Sequence, residues 1–78
     1  LTAEIQKLVE EALERMPERT RLVFVMSRYE NKPHAEIADT LGITVKGVEF
    51  HISKATKLLR VILKDYLPSL LLMNLFRL

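Results

Sequence analysis

Residues 33–60 read PHAEIADTLGITVKGVEFHISKATKLLR, and this stretch decides the fold. Its first part places apolar side chains at Ala35, Ile37, Ala38 and Leu41, a spacing that suits a short amphipathic helix. Gly42 can then adopt the left-handed conformation that ends a helix, because a residue without Cβ meets no steric penalty there. After Ile43, the Thr44 hydroxyl can accept a hydrogen bond from the backbone of a new helix. In that longer helix Val45, Val48, Ile52, Ala55, Leu58, Leu59 and Ile62 mark one apolar stripe, while Lys46, Glu49, Phe50, Ser53, Lys54 and Lys57 lie on the opposite side. A short helix, a glycine-opened turn and a second helix with a polar outer face make a helix-turn-helix, the unit that lays its second helix in the DNA major groove.

Towards the N-terminus, Ile5, Leu8, Val9, Ala12, Leu13 and Met16 follow helical spacing, with Thr2 placed to cap the start and Pro17 to end it. Pro17 also suits the first position of a second helix, which the pattern places at residues 18–29 with Glu18 in its first turn. Leu22, Val23, Val25, Met26 and Tyr29 are its expected core positions. The Leu22–Met26 run would also suit a strand, but no second strand candidate exists to pair with it. Asn31, Lys32 and Pro33 break the chain before the third helix. The expected fold is therefore all-α: a four-helix domain over residues 1–64 containing the helix-turn-helix, followed by a short apolar C-terminal helix or tail over residues 65–78.

A chain of 78 residues with 49% hydrophobic and 28% charged side chains and no cysteine fits one small domain without disulfides or cysteine metal sites. Its net charge of +2 hides an ordering along the chain. Residues 1–18 are acidic, whereas Arg19, Arg21, Arg28 and Lys32 oppose only Glu30 over residues 19–34. Lys46, Lys54, Lys57, Arg60 and Lys64 likewise oppose only Glu49 over residues 44–64. Such clustering of cations points to a polyanion, with nucleic acid first. Catalysis is not expected: the two histidines, His34 and His51, have no partners in a known motif, and there is no Gly-rich phosphate loop. His51 reads as an ordinary helix-surface residue, and neither a metal nor a cofactor is expected.

Taken together, residues of about 4–64 resemble region 4 of the sigma-70 family, and within it the extracytoplasmic-function (ECF) group. The resemblance rests on Met16-Pro17-Glu18 with Arg21, on Glu36-Ile37-Ala38, on Leu41-Gly42-Ile43, and on Val45 and Val48. It implies a promoter-binding domain whose fourth helix reads the −35 element with residues 49, 50, 53 and 54, here Glu49, Phe50, Ser53 and Lys54. Lys54 could donate to guanine, Glu49 accept from cytosine N4, and Phe50 pack on a thymine methyl. Arg19, Arg21, Lys32, Thr44, Lys46 and Lys57 are the candidate phosphate contacts, with Arg21 equally suited to supporting the fold. Family members often carry basic residues at 49, 51 and 56, a serine at 50 and a threonine at 47, so their −35 sequence does not transfer to this chain.

The resemblance further implies core RNA polymerase, through its β flap, as a partner, and an anti-sigma factor, often membrane-associated, as a regulator of a cytoplasmic protein. Two alternatives stand beside it: a LuxR-type response-regulator output domain, suggested by the Val48–Ile52 run, and a protein-interaction module acting through the tail. Nine of the last fourteen residues are apolar, and Leu67, Leu70, Leu71, Met73, Leu75 and Phe76 are the candidate partner interface. This segment either folds back from Pro68 over the domain or docks on another molecule, a second copy included. It is too short, and too interrupted by Pro68, Asn74 and Arg77, for the roughly 20 residues of a bilayer span.

Overall fold

The computed structural model describes residues 2–64. Four helices follow in order: α1 (Ala3–Arg15), α2 (Glu18–Arg28), α3 (His34–Leu41) and α4 (Val45–Ile62). The described residues hold helices and connections only. The expected tail, including Leu67, Leu70, Leu71, Met73, Leu75 and Phe76, lies outside them.

Each boundary has a local cause. At α1, the Thr2 hydroxyl accepts from the Ile5 N–H at 3.2 Å, which satisfies one of the orphan donors of the first turn. Pro17 stands one residue earlier than the first helical position expected for it: its ψ of 147° is extended, so it caps α2 from outside and Glu18 opens the helix. Helix α3 ends in a Schellman turn. Gly42 has φ 67°, the Ile43 N–H donates to the Ala38 carbonyl at 3.0 Å, and the Gly42 N–H reaches the Asp39 carbonyl at 3.4 Å. Ile43, just past the turn, packs back onto the cluster that holds Ile37 and Ala38. The Thr44 hydroxyl then accepts from the Gly47 N–H at 2.9 Å and starts α4.

Helix α4 packs on all three others, and its inner face serves two apolar clusters. Near its start, Val48 and Ile52 meet Val23 and Met26 of α2 and Ile37 and Ala38 of α3, which is the core of the helix-turn-helix. Further along, Ala55 and Leu59, with Leu63 beyond the helix end, meet Ile5, Val9 and Ala12 of α1, Met16 and Phe24. Helix α2 thus bridges both clusters, Val23 facing one and Phe24 the other.

Four apolar residues expected in the core are exposed instead, and Val25 is only half-buried. Leu22 is 45% exposed and Tyr29 56%, because α2 is apolar around much of its circumference and its neighbours cover only the side of Thr20, Val23, Phe24 and Met26. Tyr29 leans edge-on against Phe24, ring centroids 6.3 Å apart, and so keeps part of its apolar surface covered. Val45 is 42% exposed in the first turn of α4, and Ala35 is exposed on α3. Conversely, Phe24, absent from the expected core positions, is buried.

Candidate nucleic-acid interface

The burial of Val48, Ile52, Ala55 and Leu59 fixes which side of α4 faces outward. Lys46, Phe50, Ser53 and Lys57 recur at helical spacing on that side and are all exposed, with Lys54 beside them. Phe50 is 60% exposed and presents its ring on this outward side. Its ring is flanked by two neighbours: the Lys54 ammonium lies 5.9 Å from the centroid, and the His51 ring stands edge-on at 5.3 Å and 74°.

His51 departs from the surface role expected of it. It lies on the edge of the buried stripe, half-buried, and its Nδ1 shares a 2.9 Å hydrogen bond with the hydroxyl of Thr20, which is 1% exposed. Burial, then the charges of Arg19 and Lys54, lower its pKa below the usual histidine value of 6.5 and favour the neutral ring. Residue 51 sits three positions from Val48 and four from Ala55, which was the available signal of a border position. Nothing in the sequence marked Thr20 as its partner.

Glu49 occupies the other flank. It is exposed, has no ion pair among the described residues, and lines a cavity of about 380 Å³ with Ser27, Arg28, Asn31, His34, Ile52 and Ser53. The C-terminal end of α2, the α2–α3 connection and the start of α3 therefore form one wall of the groove beside α4, a wall that the sequence reading did not include. A carboxylate oxygen accepts hydrogen bonds, so Glu49 places an acceptor at this edge of the groove.

The candidate phosphate contacts divide into two sets. Arg19 donates to the Leu41 carbonyl at the end of α3 at 3.3 Å, and Arg21 donates to the Leu13 carbonyl at the end of α1 at 3.4 Å. Both guanidiniums thus sit at the negative ends of helices, where they satisfy orphan carbonyls. Lys32 lies between Glu30 at 3.4 Å and Glu36 at 3.9 Å. Lys46 and Lys57, by contrast, are exposed and carry no ion pair among the described residues, and Thr44 presents the start of α4 to solvent.

A glycine-closed turn that delivers an outward, cation-bearing helix defines a helix-turn-helix DNA-binding domain. Comparison with known families makes this more specific: the model of the family described as sigma-70, region 4, matches residues 6–59. The chain belongs to that family. No curated protein and no solved structure matches the chain. Sigma-70 region 4 is a DNA-binding domain that contacts the promoter −35 element and acts with RNA polymerase, and it is not a catalytic family. The match favours this assignment over a response-regulator output domain. Among the described residues, no helix is long and apolar enough to cross a membrane.

Proposed function

We propose that this chain is the −35-reading domain of an ECF-type sigma factor, and that the first three turns of α4 read base edges in the major groove. The carrying observation is the outward row of Lys46, Phe50, Ser53 and Lys57 with Lys54 beside it, held over a helix-turn-helix core. Phe50 offers an apolar surface to a thymine methyl, Lys54 a donor to guanine O6 or N7, Ser53 a hydroxyl to either kind of edge, and Glu49 an acceptor for cytosine N4. Lys46, Lys57 and the backbone at Thr44 hold phosphates. Arg19, Arg21 and Lys32 already have intramolecular partners, so any phosphate contact they make competes with those bonds.

Resemblance to the ECF group supports three further elements of the reading: contact with the polymerase β flap, sequestration by an anti-sigma factor, and work in the cytoplasm. The sequence of residues 65–78 is strongly apolar, and its Leu67, Leu70, Leu71, Met73, Leu75 and Phe76 would be the surface that meets a partner or a second copy.

Selection of a randomised duplex pool by the domain, followed by sequencing of the retained DNA, tests the base reading. One short enriched motif, relaxed by Lys54→Ala, is the expected result. Salt-sensitive retention without enrichment would reduce α4 to a phosphate grip, and no retention at any salt would favour an interaction module working through the tail.

A further inference from the structure

We infer that His51 is a positioning residue for base readout: anchored on buried Thr20, it braces Phe50, and through Phe50 Lys54, in the orientation presented to DNA. This inference rests on the base reading proposed above.

The reasoning starts from the side chains that must do the reading. An exposed phenylalanine and an exposed lysine on a helix each have several accessible rotamers, and binding in one of them costs the freedom of the others. Sequence selectivity therefore depends on whether something in the free protein already restricts them. Here a continuous chain of contacts does so. Thr20 is buried in α2 and its hydroxyl holds His51 Nδ1 at 2.9 Å; the His51 and Phe50 rings meet in a T-shaped arrangement with centroids 5.3 Å apart; and the Lys54 ammonium lies over the Phe50 ring, 5.9 Å from its centroid. The inner end of this chain is fixed by packing, and only its outer end, Phe50 and Lys54, is exposed.

The arrangement is also specific to the flank of α4 that faces the start of α2. Arg19, one residue before Thr20, donates to the Leu41 carbonyl and so ties the same end of α2 to the end of α3, just before the turn into α4. The Thr20 anchor is thereby held relative to the recognition helix from two directions. His51 itself does not belong to the outward row, and no base contact is assigned to it.

The test compares Thr20→Val, which keeps the side-chain volume and removes the hydroxyl, with Thr20→Ser, which keeps the hydroxyl and removes a methyl. Affinities of the native chain and both variants are measured for the duplex enriched by the native chain and for a scrambled duplex, across a salt series. Thr20→Val should lose about tenfold on the enriched duplex, within the range of one impaired base contact, and change little on the scrambled duplex or in salt slope. Thr20→Ser should keep the native preference. In NMR spectra of the free protein, the Lys54 side-chain protons that lie over the Phe50 ring should be shifted upfield in the native chain and in Thr20→Ser. In Thr20→Val they should move towards solvent values. Retention of both the motif preference and the Lys54 shift in Thr20→Val would overturn the inference while leaving base reading intact. Equal weakening on both duplexes would show a purely structural role and overturn it as well. Absence of any preference in the native chain would overturn the base reading and this inference with it.

Discussion

The turn between α3 and α4 can be tested through its two neighbouring glycines, which the structure sets in opposite circumstances. Gly42 has φ 67°, and a Cβ built on it would meet nothing within 4 Å. Replacing it with alanine therefore introduces no clash, only the cost of holding an L-residue in the left-handed region, roughly 1–2 kcal/mol. The lower unfolded-state entropy of alanine offsets about 0.4–1 kcal/mol, so Gly42→Ala should destabilise by about 1 kcal/mol. For a domain of this size that lowers the thermal midpoint by about 4–8 °C. Gly47 has ordinary helical geometry, and its added Cβ would lie 3.3 Å from the Thr44 hydroxyl and 3.6 Å from Ile43 Cδ1. Alanine there gains about 0.5–1 kcal/mol of helix propensity, against a small displacement of the capping hydroxyl. Thermal unfolding followed by circular dichroism should show Gly42→Ala clearly less stable than the native chain and Gly47→Ala equal to it or more stable. Gly42→Asn should cost less than Gly42→Ala, because asparagine tolerates the left-handed region. Equal costs for alanine and asparagine at 42, or a loss at 47 as large as at 42, would refute the reasoning.

Three other outcomes are expected. Ile37→Ala removes a fully buried side chain from the helix-turn-helix cluster and should cost about 2–5 kcal/mol in chemical denaturation. Because the folded-state pKa of His51 lies below its ordinary value, the unfolded chain takes up its proton first as pH falls; stability is full above about 6.5, declines from there towards the folded-state pKa, and His51→Asn should flatten that decline in thermal midpoints measured against pH. For duplex binding, if Lys46 and Lys57 supply the phosphate-neutralising charges, the slope of log affinity against log salt should be about −1.8, and a slope near −4.5 would mean that Arg19, Arg21 and Lys32 take part as well.

Much of the fold was legible because local signals and burial agree in the second half of the chain. Gly42, Thr44 and the Val48-Ile52-Ala55-Leu59 stripe each specify the same turn and the same helix face. Helix α2 was less legible. Five consecutive apolar residues from Leu22 to Met26 define no single face, and the choice of Phe24 over Leu22 for burial is made by α1 and α4, which are distant in sequence. The same limit hid His51 from the sequence: its burial depends on a threonine thirty-one positions earlier, and a buried threonine has no periodicity that separates it from an exposed one.

Charge shows the limit most clearly. Counting cations along the chain makes residues 19–34 look as basic a surface as the recognition helix. The geometry separates them: Arg19 and Arg21 hold helix-end carbonyls and Lys32 is shared by two acids, whereas Lys46 and Lys57 project from α4 without partners among the described residues. A cation that already closes a helix end contributes to DNA affinity only the difference between two favourable contacts, and that difference is smaller than the full DNA contact. The two arginines that follow the Pro17-Glu18 entry tie the ends of α3 and α1 to α2. On the base reading proposed above, binding falls to the few cations of α4, and the domain's grip on DNA should depend more on the orientation of Phe50, Ser53 and Lys54 than on its total charge.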